Sequence, residues 1–495
     1  MMKKLLGLLT FLALLFGAAV ALVIAIRTYD IQRAPALSIW HTHVPHDLRA
    51  DEIAKLDWDG YLLAEQRVFD EVRTEIVDRI EPDERVASNR FFEGSPLYPG
   101  RFATDWNRSF VMEPVGAPAG AVVLLHGLTD SPYSMRAFAK RYSDLGFVAI
   151  AIRLPGHGTA PSGLTQAHWE DWTQATRLAV REARRRIGPS APLHLLGYSN
   201  GGALATQYAL AALADPQLAR PDRVVLVSPM IGVTAFARFA GVFGWPALFP
   251  AFANAAWLGI VTEYNPFKYN SFPINGARQS SLLTRELQGA IADAVTSGRI
   301  ARMPPVLTFQ SAIDFSVSTR AIVDSLYAVL PANGSELVLF DVNRHAQLSP
   351  LLSARSLDAL DRIMAPPPRN YRSAVIMNAD APSGVVVERS VDAGATAATL
   401  RPLSFGYPSG MFSLSHIALP FAMDDPLYGI EAAPDAHKQF GINLGSVGGR
   451  GETGALIVSA DAMTRASSNP FLPFVLERIE QGITPPAAPA AAARP

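Results

Sequence analysis

The sequence predicts an α/β protein with a mostly parallel central sheet flanked by helices, and three observations carry that expectation. Apolar runs of strand length end at glycine turns: Ala121-Val122-Val123-Leu124-Leu125 stops at His126-Gly127, and Phe147 to Ile152 stops before Pro155-Gly156-His157-Gly158. Buried parallel strands read this way because both of their faces are covered. Between the two runs, Met135 to Leu145 has helical spacing, which makes a strand, helix, strand crossover. A third run, Leu193-His194-Leu195-Leu196, passes through Gly197-Tyr198-Ser199-Asn200-Gly201-Gly202 into the helical stretch Ala203 to Ala212.

Composition excludes several classes of function. The chain has 495 residues, 43 Lys+Arg against 44 Asp+Glu, a net charge of −1 and no cysteine. Disulfides, thiolate metal sites and a cysteine nucleophile are therefore ruled out, and the balanced charge argues against a nucleic-acid partner. The sequence has no phosphate-binding P-loop, no dinucleotide glycine fingerprint and no H-E-x-x-H helix. No cofactor is expected.

In chain order, Leu5 to Ile26 is a run of 22 residues without charge, preceded by Lys3 and Lys4 and followed by Arg27. As a helix it would be about 33 Å long, enough to cross a bilayer. Ala19-Val20-Ala21 has the form of a signal-peptide cleavage site, but five more apolar residues follow it. Residues 1–30 are accordingly read as an uncleaved single-pass membrane anchor. Its lysines would keep the N-terminus cytoplasmic and the rest of the chain outside, on the periplasmic side in a bacterium. Residues 31–105 are read as a helical arm or stalk, with Ile53, Leu56, Leu62, Leu63, Val68 and Val72 at near-helical spacing and an end near Pro82. The body of the fold is expected over 106–483, and the Pro- and Ala-rich residues 484–495 are expected to be disordered.

The stretch from Gly197 to Gly201 carries the chemistry. A G-x-S-x-G turn between a strand and a helix crowds its neighbours, so the flanking positions must lack side chains while the serine hydroxyl is thrust above the sheet at a helix N-terminus. The bland alternative is a tight turn with an ordinary serine. Ser199 is the candidate nucleophile, and Gly197 and Gly201 are the elbow glycines.

The segments "VVLLHGLTDSPYSMRAFAKRYSDLGF", "RLPGHGTAPSGLTQAHWEDW" and "LHLLGYSNGGALA" resemble the bacterial carboxylesterase and monoacylglycerol-lipase branch of the α/β-hydrolase superfamily, closely over residues 110–230. The resemblance implies an α/β-hydrolase fold and makes the backbone N–H groups of Leu128 and Asn200 the oxyanion hole. Two preorganised amide donors can stabilise a tetrahedral oxyanion without any particular side chain. His126 is expected to fix its turn rather than act as a base.

A serine needs a base and the base an orienting acid, in the chain order Ser, Asp/Glu, His for this superfamily. Val306 to Phe309 ends at Gln310-Ser311-Ala312-Ile313-Asp314, which makes Asp314 the candidate acid; the plainer reading is a capping aspartate. Two histidines compete for the base. His345 follows the strand Glu336 to Phe340, 31 residues after Asp314, the spacing of strand, helix, strand, histidine loop. His416, in "FSLSHIALPFAMDDPLYG", resembles the family's histidine loop and is followed by a terminal amphipathic helix, Asn469 to Ile479. His416 is taken as the base, with His345 as the alternative, and the strands expected at Ser373 to Met377 and Val385 to Val387 are assigned to a 366–415 insertion. His157, His168 and His194 are poor candidates by their order in the chain.

Residues 231–303 separate two sheet strands and are rich in apolar and aromatic side chains: Phe236, Phe239, Val242, Phe243, Trp245, Leu248, Phe249, Phe252 and Trp257. An insertion there is expected to cap the site and to line a hydrophobic acyl pocket, although a helical subdomain with its own core fits equally well. The expected function is hydrolysis of a hydrophobic or lipid-like carboxylic ester, of monoacylglycerol or lysophospholipid type, through an acyl-enzyme, by a protein tethered to the membrane. An acyltransferase, thioesterase or serine aminopeptidase fits the same fold, and a non-catalytic tethered binding protein is the remote alternative.

Overall fold

The computed structural model describes residues 35–232, 250–345, 352–380, 384–445 and 464–483, with scattered positions between 7 and 18. Twelve strands are found among them, here β1 (Phe110–Met112), β2 (Gly120–Leu125), β3 (Phe147–Ile152), β4 (Leu193–Tyr198), β5 (Arg223–Val227), β6 (Trp257–Gly259), β7 (Phe272–Pro273), β8 (Val306–Ser311), β9 (Glu336–Phe340), β10 (Arg372–Asn378), β11 (Val386–Val391) and β12 (Thr399–Pro402). The principal helices are α1 (Trp58–Glu75), α2 (Arg136–Asp144), α3 (Trp169–Ile187), α4 (Asn200–Ala214), α5 (Ile274–Thr296) and α6 (Leu472–Glu480).

Ten strands form one sheet in the order β1-β3-β2-β4-β5-β8-β9-β10-β11-β12. From β3 to β10 every neighbour is parallel, while β1 at one edge and β11 and β12 at the other are antiparallel. All residues of β2, β3, β4, β8 and β9 are buried, which is why these strands appear in the sequence as continuous apolar runs rather than alternating ones. One face packs against α3, α4 and α5 through residues such as Trp172, Leu204 and Leu287; the other packs against α2 and α6 through Phe138, Phe474 and Val475. Parallel strands place all their C-terminal ends on one edge, and the turns after β2, β4 and β8 therefore meet there.

The arm packs onto this sheet. Of α1, Tyr61, Glu65, Val68 and Val72 face inward while Leu63 is exposed. Arg153, just past β3 and wholly buried, donates to both carboxylate oxygens of Asp47 (2.6 and 3.0 Å) and to Glu65 (3.0 Å). Glu65 also accepts from the Ser109 hydroxyl, and the Tyr61 hydroxyl donates to the Arg153 carbonyl. Burial pushes Asp47 up, but Arg153 and the Gly156 N–H more than reverse this and hold it below the usual range.

The expected membrane anchor is corrected: among the described residues no helix is long and apolar enough to cross a membrane. A span needs about 20 mostly apolar residues in one helix, and the longest described helix, the 23 residues of α5, carries Arg278, Arg285, Glu286 and Asp293. The single-pass topology with an external catalytic domain is thus not borne out. Most of Leu5 to Ile26 lies outside the described residues, as do residues 484–495 and, of the apolar and aromatic residues expected in the cap, Phe236, Phe239, Val242, Phe243, Trp245, Leu248 and Phe249. Trp257 is described: it is buried and meets the His41 ring edge-on.

Breaking one partner of a buried, hydrogen-bonded ion cluster leaves the others uncompensated. Arg153→Met is therefore expected to lower the apparent unfolding free energy by about 3–5 kcal/mol in urea titrations. It should also open the arm to limited proteolysis between residues 50 and 105 before the sheet domain is cut. A loss below about 1 kcal/mol, the scale of a surface pair, would show that the cluster does not hold the arm.

Candidate active site

The turn after β4 is built by close backbone approach. A Cβ on Gly201 would lie 2.0 Å from the carbonyl oxygen of Leu125, and one on Gly197 would lie 2.2 Å from the carbonyl of Gly201. Neither position admits a side chain. Ser199 between them takes φ 53° and ψ −116°, a conformation costing on the order of 1–3 kcal/mol for a residue other than glycine. It is held by hydrogen bonds from the Ser199 N–H to the Val227 carbonyl and from the Met230 N–H to the Ser199 carbonyl, both 3.0 Å. The result is a partly exposed hydroxyl at the N-terminus of α4.

The turn after β2 faces this serine, since a Cβ on Gly127 would come within 3.2 Å of the Ser199 Cβ. His126 fixes the turn as expected: its Nδ1 lies 2.9 Å from the Gly127 carbonyl, and its Nε2 accepts from the Leu154 N–H at 3.1 Å. Burial, helped by His157, drives its pKa far below the ordinary histidine value, which suits a neutral structural ring. Among the described residues the N–H groups of Leu128 and Asn200 have no backbone partner, so both remain available to a ligand. Asn200 is further positioned from α5, where the Ser280 hydroxyl donates to its side-chain carbonyl at 3.0 Å.

Asp314 follows β8, and its carboxylate is fully buried. One oxygen accepts from the N–H groups of Ser316 and Val317, and the other from Gln310 Nε2 at 3.1 Å and from His416 Nδ1 at 2.8 Å. Burial alone would raise this carboxyl; the charge and hydrogen bond of His416 and the two backbone donors outweigh it and hold the pKa below the usual range. His416 in turn is fixed from the elbow, where the Tyr198 hydroxyl donates to its carbonyl at 3.3 Å and the two rings lie 5.3 Å apart.

Asp314 thus meets His416 and not His345. His345 is exposed in the loop after β9, its ring beside Gly384. That loop instead anchors the segment leading to His416, because Asn343 donates from its backbone to Phe412 and from its side chain to Met411, both at 2.8 Å. Three strands, β10 to β12, are inserted before that segment. His157 and His194 are buried, each driven to about 3 mainly by burial. The sequence reading missed Gln310, Tyr198 and Ser280. Tyr198 sits inside the elbow motif itself, whereas the other two had no signal beyond residue type.

The chain is similar to known proteins over part of its length. Residues 116–349 match the family described as serine aminopeptidase, S33. A thermostable monoacylglycerol lipase of Bacillus sp. (strain H-257) is 32% identical over 87 residues, 18% of this chain and 33% of the relative, so the chain spans about a third of the length of that relative. Among solved structures, a metagenome-derived lipolytic enzyme is 21% identical with a TM-score of 0.36, covering 44% of this chain and 83% of the other. A monoglyceride lipase variant from Saccharomyces cerevisiae is 13% identical with a TM-score of 0.34, covering 44% and 77%.

A depressed carboxyl pKa stabilises the fold above the unfolded value of about 3.9 and ceases to do so as pH falls through the lower folded value. The stability advantage of the wild type over Asp314→Asn is therefore expected to shrink as pH is lowered from about 5 to about 3, followed by urea unfolding at each pH. An advantage that grows on acidification would contradict the assignment of an ionised Asp314. With its sheet order, its strained serine turn and the match over residues 116–349, the chain has an α/β-hydrolase fold and resembles the carboxylesterase and monoacylglycerol-lipase branch of that superfamily.

Proposed function

We propose that the chain is a serine hydrolase that cleaves a hydrophobic carboxylic ester through an acyl-enzyme on Ser199. The observation that carries this reading is the 2.8 Å contact between His416 Nδ1 and the buried Asp314 carboxylate, with His416 packed against Tyr198, the neighbour of a serine held in a strained turn. Asp314 selects the tautomer in which His416 Nε2 is free to accept a proton, and stabilises the imidazolium once it forms. Ser199 Oγ attacks the ester carbonyl as His416 takes its proton, and the oxyanion collects hydrogen bonds from the N–H groups of Leu128 and Asn200. Collapse expels the alcohol with the proton from His416; water, activated by the same imidazole, then releases the acid. None of these steps calls on a cofactor.

A peptidase reading has one specific point in its favour, the family name attached to the match over residues 116–349. Acyl transfer or thioester cleavage would use the same serine, histidine and acid.

The test is hydrolysis of p-nitrophenyl esters from acetate to palmitate, with aminoacyl p-nitroanilides alongside. Ser199→Ala and His416→Ala are expected to reduce kcat by roughly 10⁴- to 10⁶-fold, and Asp314→Asn by about 10⁴-fold. His345→Ala should stay within about threefold of the wild type, given that its ring lies away from Asp314. Turnover that survives Ser199→Ala would refute the reading, and turnover confined to the anilides would replace esterase by peptidase.

A further inference from the structure

Beside His416 lies a cleft of about 870 Å³ whose walls are mostly apolar, with Ile313, Phe315, Met411, Leu414 and Ala466 among them. Apart from His416, Arg465 is the one ionisable side chain among the described lining residues. Its guanidinium donates to the Ser316 hydroxyl at 3.0 Å and lies 6.0 Å from the centre of the Phe315 ring. Its carbonyl accepts from the Ser415 hydroxyl at 2.8 Å, which ties it to the residue before the histidine. Among the described residues no carboxylate is within ion-pair range of Arg465. Arg153, Arg136 and Arg478 differ in having acids, Arg153 pairing with Asp47 and Glu65, Arg136 with Asp425, and Arg478 with Glu336 and Glu388, whereas buried Arg90 is satisfied by the Asn265 carbonyl and the Asn107 side chain instead.

Arg465 is half-buried, and with one donor on Ser316 its guanidinium keeps further N–H groups that an anion can engage in charge-assisted hydrogen bonds. A second cation, Lys268, stands near it. Burial lowers the Lys268 pKa, Asp130 partly restores it, and Arg465 lowers it further by repulsion. At the Tyr198 hydroxyl, where burial, Asp130 and Asp314 raise the pKa, the charge of Arg465 acts in the opposite direction. Neither Ser199 nor Leu128 lines the cleft. It adjoins the histidine alone, which is the group that returns the proton to the departing oxygen.

Building on the ester-hydrolase reading, we propose that this cleft receives the alcohol half of the substrate and that Arg465 pairs with a carboxylate or phosphate carried by that half. The substrate class is then an acyl ester of an anionic alcohol. Ser199 Oγ forms the new acyl C–O bond, the bond between the acyl carbon and the alcohol oxygen breaks, and the serine proton passes through His416 to that oxygen. The alcohol leaves as a hydroxyl compound still bearing its anionic group. Water then cleaves the acyl-enzyme to the free acid and regenerates the serine.

The test uses the full chain and matched ester pairs: p-nitrophenyl butyrate with and without a ring carboxylate, and a 1-acylglycerol with and without a 3-phosphate. The ratio of kcat/KM, anionic over neutral, is expected to be roughly tenfold or more at low salt and to fall with ionic strength. It should drop towards unity in Arg465→Gln and be largely kept in Arg465→Lys, and the pair with the larger ratio identifies carboxylate or phosphate. A wild-type ratio near or below one, or a ratio unchanged in Arg465→Gln, overturns the proposal. Calorimetric binding of the same esters to Ser199→Ala separates the two readings. Preference for the anionic ester that disappears on adding Arg465→Gln upholds the cleft assignment even if the wild type hydrolyses nothing, and absence of that preference ends it.

Discussion

The candidate site depends on how closely the first turn of α4 approaches the end of β2. With Gly201 against the Leu125 carbonyl and Gly197 against Gly201 itself, there is room for one backbone path, and that path puts Ser199 at φ 53°. The strain is sustained by neighbouring strands, since β5 supplies the carbonyl of Val227 as acceptor for the Ser199 N–H and the following turn supplies the Met230 N–H. The same proximity brings Gly127 against the Ser199 Cβ. The N–H groups of Leu128 and Asn200, which have no backbone partner among the described residues, thus belong to two turns held together by close packing, the kind of preorganisation that the proposed oxyanion stabilisation calls for.

The remaining machinery is attached to this frame from far along the chain. Asp314 comes from the end of β8, where Gln310 and the N–H groups of Ser316 and Val317 define its carboxylate. His416 arrives 102 residues later. Between them the sheet is extended by β10, β11 and β12, and α6 closes over its face, with Arg478 joining Glu336 of β9 to Glu388 of β11. The loop after β9 binds the returning chain through Asn343.

What could be read from the sequence follows from locality. Buried parallel strands stand out as apolar runs, the serine turn combines strand, glycines and helix within a dozen residues, and Asp314 could be found from strand order. The base could not be found by spacing, because spacing assumes that the sheet ends at β9 and so favours His345; only the resemblance around His416 favoured the residue that meets Asp314. Glu65 and Asp47 are ordinary polar residues of a helical arm in sequence, and Arg153, their shared partner, lies 88 residues beyond Glu65. Leu63 shows the converse: it fits the apolar stripe of α1 yet faces solvent, while Glu65 is buried. The charge of Arg465 is equally silent, since its setting comes from the apolar wall around it and from having no ion-paired acid among the described residues.

The account stands on Ser199 being a nucleophile activated by His416. Its most direct measurement is mass spectrometry of the protein after brief exposure to a fluorophosphonate, followed by peptide mapping. The account predicts a single phosphonyl adduct on the peptide containing Ser199, formed far more slowly in His416→Ala and at the wild-type rate in His345→Ala. No adduct at Ser199, or one that forms equally fast without His416, would contradict it.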